Sequence, residues 1–94
     1  INTGINENNS ATGVVSIYPN PARDQLTVEW NSQVSADQPT VAVMNSIGME
    51  IMKYTPERNQ SRVNLNTSKL ASGMYFVEVV GTTYRSVQKI IIAQ

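Results

Sequence analysis

With 94 residues and 10.4 kDa, the chain is long enough for one domain with a single core, and 40% apolar against 15% charged residues is a globular composition. Seven basic and seven acidic side chains give zero formal net charge, without the cationic excess of a nucleic-acid binder or a polybasic membrane anchor. Cysteine and histidine are both absent, which excludes disulfides, thiolate nucleophiles, sulfur metal sites and the commonest general base.

The opening, Ile1-Asn2-Thr3-Gly4-Ile5-Asn6-Glu7-Asn8-Asn9-Ser10, is Asn-rich with isolated apolar residues. It reads as a linker over residues 1–13 that continues from an upstream domain, with the boundary near Ala11 to Gly13. It has neither the basic start nor the apolar run of a signal peptide. No window approaches 18 consecutive apolar residues, so transmembrane insertion is not expected.

From Val14 the apolar pattern has period 2, and seven strands are predicted: Val14 to Tyr18, Gln25 to Trp30, Thr40 to Asn45, Glu50 to Tyr54, Arg62 to Asn66, Met74 to Val80 and Tyr84 to Ile92. Pro19-Asn20-Pro21, the polar stretch from Asn31 to Pro39, Ser46-Ile47-Gly48, Pro56 to Gln60, Ser68 to Gly73 and Gly81-Thr82-Thr83 separate them. Seven short strands with no convincing helix define an all-β chain, a small antiparallel β-sandwich of residues 14–94. Leu26, Val28 and Trp30 share one face, as do Val63 and Leu65, and Tyr75, Val77 and Val79 oppose Glu78. Leu65, Val77 and Ile91 are predicted core positions. Lys69-Leu70-Ala71 allows one 3₁₀-like turn, with Leu70 plugging an end of the sandwich, and Gly81 is expected to supply positive φ to the last hairpin.

Catalytic chemistry finds little support. The seven carboxylates are scattered and do not have the spacing of a calcium loop, and the plain reading of Asp24 is a turn residue that accepts backbone hydrogen bonds or pairs with Arg23. Ser86-Val87-Gln88-Lys89 spells S-x-x-K, but residues three apart on a strand point to opposite faces. The dispersed glycines form no phosphate loop, and no cofactor or metal is expected. Asn8-Asn9-Ser10, Asn59-Gln60-Ser61 and Asn66-Thr67-Ser68 spell glycosylation triplets that arise readily by chance in so Asn- and Ser-rich a chain. Tyr18, Trp30, Tyr54, Tyr75, Phe76 and Tyr84 are read as packing residues rather than a stacking platform. Lys89-Ile90-Ile91-Ile92-Ala93-Gln94 is a very apolar last strand, which closes the sandwich and, at a sheet edge, doubles as a recognition handle.

Three landmarks occur in order: Val15-Ser16-Ile17-Tyr18-Pro19-Asn20-Pro21-Ala22 followed by Leu26-Thr27-Val28; Val41-Ala42-Val43-Met44-Asn45-Ser46-Ile47-Gly48-Met49-Glu50-Ile51; and Val63-Asn64-Leu65 with Leu70-Ala71-Ser72-Gly73-Met74-Tyr75-Phe76-Val77, then Gln88-Lys89-Ile90-Ile91-Ile92. Together they resemble the C-terminal sorting domain of the type IX secretion system of Bacteroidota over roughly residues 14–94. In one departure, family members often finish on a basic residue, whereas Lys89 is the last cation here.

The resemblance implies an immunoglobulin-like sandwich at the end of a secreted cargo protein. Such a module carries its cargo from the periplasm through an outer-membrane translocon to the cell surface or medium, and a surface sortase then removes it by cutting in the upstream linker. The domain is a substrate and not an enzyme. The rigid Tyr18 to Pro21 corner, Gly48, Leu70, Gly73 and Tyr75 are expected to be structural. Lys89, Ile90, Ile91, Ile92, Ala93 and Gln94 are the expected recognition residues, pairing their backbone with a partner sheet while the isoleucines fill pockets. The competing reading is a carbohydrate- or protein-binding accessory module of a secreted hydrolase or adhesin, which needs aromatics gathered on one exposed face.

Overall fold

The period-2 pattern becomes seven strands in a computed structural model that describes residues 14–94. They are β1 (Val15–Tyr18), β2 (Gln25–Trp30), β3 (Thr40–Asn45), β4 (Glu50–Tyr54), β5 (Arg62–Asn66), β6 (Gly73–Val80) and β7 (Arg85–Ile92). All pairings between them are antiparallel, in two sheets of order β1-β2-β5 and β4-β3-β6-β7. The inner faces pack against each other as a small immunoglobulin-like β-sandwich. The expected strands differ from these by one residue at the starts of β1, β6 and β7, the usual scatter at element ends. The expected linker, residues 1–13, lies outside the described residues.

Register explains the core. Leu26 faces Leu65 and Val28 faces Val63 across one sheet, while Val43 faces Val77, Val41 faces Val79 and Tyr75 faces Ile90 across the other. All of these side chains are buried, with Trp30, Val34, Ala22 and Ile92 completing the cluster. Leu70 packs half-buried against it, as a plug from the turn.

Three expectations are corrected. The polar connection after β2 contains a short helix, α1 (Ser32–Ala36), capped by Asn31, whose Oδ1 accepts the Val34 N–H at 3.2 Å. Its one buried side chain, Val34, is 1% exposed, so burial of a single residue fixes the turn where periodicity over so short a segment is uninformative. Ile91 is not core: it is 38% exposed, and its neighbours Ile90 and Ile92 are each 1% exposed. In a run of three isoleucines both parities satisfy the alternation, and the register with Tyr75 selects the outer two.

Gly81 does not have positive φ; among the described residues the glycines that do are Gly48 at +87° and Gly73 at +153°. Gly81 is instead required by proximity, because a Cβ there would collide with the carboxylate of Asp37 and lie 2.9 Å from its carbonyl oxygen. Asp37 ties α1 to the last hairpin, its Oδ2 accepting the Thr83 N–H at 2.8 Å.

Candidate functional site

The corner after β1 is built from residues that cannot extend a ladder. Pro19 and Pro21 have no N–H and a fixed φ, so the chain leaves β1 and crosses towards the edge of the other sheet; both X–Pro bonds are cis. There it lies against β7. Asn20 Oδ1 accepts the Ile91 N–H at 3.0 Å, and Asn20 Nδ2 reaches the Lys89 carbonyl at 3.5 Å. The Ala22 N–H donates to the Ile91 carbonyl at 2.8 Å, and the Ala22 carbonyl accepts the Ala93 N–H at 2.8 Å, forming a parallel bridge between Ala22 and Ile92. Ala22 is fully buried, and its small side chain lets the two backbones approach. Three residues thus cover the outer edge of β7 around Ile91.

The end of the described chain is knotted into the same corner. Gln94 Nε2 donates to the carbonyls of Arg23 at 3.1 Å, Thr67 at 2.9 Å and Leu70 at 3.0 Å, and the Gln94 N–H donates to Ser72 Oγ at 3.0 Å. Thr67 is the buried polar side chain of this region; its Oγ1 donates to the Arg23 carbonyl at 2.6 Å and its N–H to the Asp24 carbonyl at 2.9 Å. Tyr75 Oη donates to the Ala71 carbonyl at 2.7 Å, which holds the turn that Gly73 terminates. Asp24 acts through its backbone carbonyl and forms no ion pair with Arg23; the single ion pair among the described residues is Arg85 Nε to Glu78 Oε2 at 2.8 Å.

The fold therefore assembles Tyr18 to Pro21, Leu70, Gly73, Tyr75 and Lys89 to Gln94 around one corner. Gly48 stands apart, in the hairpin between β3 and β4 at the opposite edge of the sheet, where Asn45 Oδ1 accepts the N–H groups of Ile47 at 3.1 Å and Met49 at 2.9 Å. Ala22, Thr67 and Ser72 are contributors that the motif reading missed. Ala22 and Ser72 stood within landmarks without a role, and nothing in the sequence pairs Thr67 with Arg23, 44 positions away.

Alternation divides the last strand's side chains. Ile90 and Ile92 fill the core, whereas Lys89 and Ile91 project from the outer face of the four-stranded sheet. The Tyr18 hydroxyl donates to Glu29 Oε1 at 2.7 Å, and that carboxylate raises the phenol above its ordinary 10.0.

Among the described residues no group of three or more Asp or Glu side chains is gathered to hold a metal. A shallow, open depression is lined by Asp24, Gln25, Asn64, Leu65, Asn66 and Ser68. Trp30 and Tyr75 belong to the core, and the exposed Tyr18 and Tyr54 lie on different sheets, an arrangement unlike a sugar-stacking platform.

The Pro-Asn-Pro turn and the last strand thus form one corner of the small β-sandwich. The secretion system C-terminal sorting domain family matches residues 16–93, from β1 to the residue before Gln94, and the chain belongs to this family. No curated protein matches the chain. Membership makes the domain a non-catalytic sorting signal of type IX secretion and assigns the protein that bears it to the extracytoplasmic, secreted class.

Proposed function

We propose that residues 14–94 are the address that an outer-membrane type IX translocon reads on a cargo protein attached through residues 1–13, and that a surface sortase removes the address by cutting within or shortly before those residues. The cargo then remains at the cell surface or enters the medium. One observation supports the reading: the first and the last landmark, far apart in sequence, are joined by the hydrogen bonds of Asn20 and Ala22 with Ile91 into a single folded corner. A receptor serving unrelated cargoes needs a determinant of this kind, independent of the cargo. Within Lys89 to Gln94, the side chains offered to a partner are Lys89 and Ile91, because Ile90 and Ile92 are consumed by the core and Gln94 by the corner.

The test is a fusion of the whole chain to an inert periplasmic reporter in a host with the type IX machinery. The reporter is expected in the medium or on the surface, with terminal sequencing placing the cut at or before residue 13. Retention of the reporter in the periplasm would overturn the sorting reading, and a cut inside β6 would overturn the proposed processing.

A further inference from the structure

Four strands bound the two sheets, and three of them are protected against further pairing. β7 is covered from Lys89 to Ala93 by the corner of Asn20 and Ala22, and its remaining length carries Arg85. β4 has a bulge opposite Val43 and Met44 and the charges of Glu50 and Lys53. β1 runs into Pro19, and its Val15 carbonyl accepts Gln88 Nε2 at 3.2 Å. Bulges, charges, prolines and covering segments are the usual means of closing a sheet edge. β5 has little of this: its five residues include one charge, Arg62, and pair with β2 without a register shift. The Trp30 N–H donates to the Ser61 carbonyl and the Thr67 N–H to the Asp24 carbonyl, each at 2.9 Å, so the odd-numbered residues of β5 bond to β2. The N–H and C=O groups of Arg62, Asn64 and Asn66 therefore point away from the sheet. Among the described residues they meet one partner, Gln60 Nε2 at the Arg62 carbonyl, 2.8 Å away. The shallow depression beside Asn64, Leu65 and Asn66 leaves the edge accessible there.

This edge is complementary to itself. A two-fold axis normal to the sheet through Asn64 places Asn64 opposite Asn64, Arg62 opposite Asn66 and Val63 opposite Leu65, with every side chain kept on its own face. Each outward N–H then meets an outward carbonyl, the Arg62 carbonyl being shared with Gln60. Val63 and Leu65, buried in each core, meet across the joint and continue the apolar layer. Asn64 Oδ1 accepts the Thr27 hydroxyl at 2.7 Å, which leaves its Nδ2 and one oxygen lone pair for a reciprocal amide pair across the axis. No like charges face each other, since Arg62 stands opposite a neutral asparagine. We infer that the β5 edge is a self-association surface, at which a second copy of this chain pairs β5 antiparallel with β5 and the two three-stranded sheets become one. An extended segment of an unrelated protein would satisfy the backbone alone, whereas the second copy also matches the side chains on both faces. One short strand per copy buries far less than the about 800 Å² per partner of a stable complex, so the dimer is weak and depends on concentration. The inference does not rest on the sorting reading.

The experiment follows the amide resonances and the sedimentation of the whole chain between about 20 μM and about 1 mM, a range suited to weak association. The expected result is a dimer at high concentration, with the amides of Arg62, Asn64 and Asn66 shifting and those of Lys53 and Val87 unmoved. Asn64→Lys and Asn64→Asp each set like charges on the axis; each alone is expected to weaken the dimer at least about tenfold, and an equimolar mixture of the two to restore it. Lys53→Glu, on the β4 edge, is expected to leave it unchanged. A chain that stays monomeric throughout overturns the inference, as does a dimer that leaves the Asn64 amide unshifted or that neither charged variant weakens. A dimer that both variants weaken and their mixture fails to restore overturns the two-fold register. A monomer whose Arg62, Asn64 and Asn66 amides exchange slowly overturns the second copy in favour of another occupant of the edge. Where a charged variant melts early, the dilution shifts of the unmodified chain decide.

Discussion

The side chain of Asn20 and the backbone N–H of Ile91, 71 positions apart, share a hydrogen bond of 3.0 Å. Through it a turn between two prolines substitutes for a neighbouring strand, and the edge of β7 is covered where an open ladder would invite pairing. Asn20→Ala removes this acceptor from an exposed site where water replaces it in part. The expected cost is about 1 kcal/mol, with faster hydrogen exchange at the Ile91 amide and unchanged exchange at Val77.

The isoleucine run separates core from surface in consecutive residues. Ile92→Ala and Ile90→Ala are expected to cost roughly 2 to 5 kcal/mol each, and Ile91→Ala less than about 1 kcal/mol. Chemical denaturation of the three variants measures the contrast, and equal losses would contradict the assigned register.

Much of this was legible before the fold was seen, for identifiable reasons. Period 2 in Leu26-Thr27-Val28 and in Tyr75 to Val79 has one solution for the buried face, and the Pro-Asn-Pro turn and Gly48 mark reversals through their own backbone limits. What stayed hidden depends on contacts between distant residues. The parity of Ile90 to Ile92 is set by β6, the α1 turn by the burial of Val34 alone, and the need for glycine at position 81 by Asp37. Asn20 could be read as a turn residue, but its hydrogen bond to Ile91 depends on the final packing.

Glycine is required for different reasons at two turns. At Gly81 an added methyl meets Asp37, so Gly81→Ala is expected to cost roughly 1 to 3 kcal/mol and to loosen the Thr83 amide that Asp37 holds. At Gly48 nothing lies within 4 Å of an added Cβ, and only the φ of +87° opposes alanine, at about 1 kcal/mol. Thermal unfolding together with Thr83 exchange distinguishes the two.

Tyr18 gives a pH signature. Because Glu29 raises its pKa in the folded state, the protonated phenol is favoured there; the contribution is complete below the ordinary value of 10.0 and disappears as pH rises through the folded pKa. Glu29→Ala is expected to bring the ring resonances of Tyr18 back to titrating near 10.0, as followed by NMR. An unchanged titration would mean the hydrogen bond is not formed in solution.

Gln94 holds three carbonyls with one amide nitrogen. Gln94→Ala is expected to cost about 1 kcal/mol in a melting experiment. Gln94→Lys should retain most of the stability, since an ammonium brings three N–H donors to three acceptors.

The cover over β7 also bears on the order in which the sandwich can form. β1 and β2 can meet as soon as both exist, but Asn20 and Ala22 have no partner until residues 91–93 are present. Closing so long a loop is slow relative to forming a hairpin. A chain delivered from its N-terminal side, from a ribosome or through a pore, therefore holds its first corner open until its last strand arrives. Closure of the corner reports that the whole domain has been delivered.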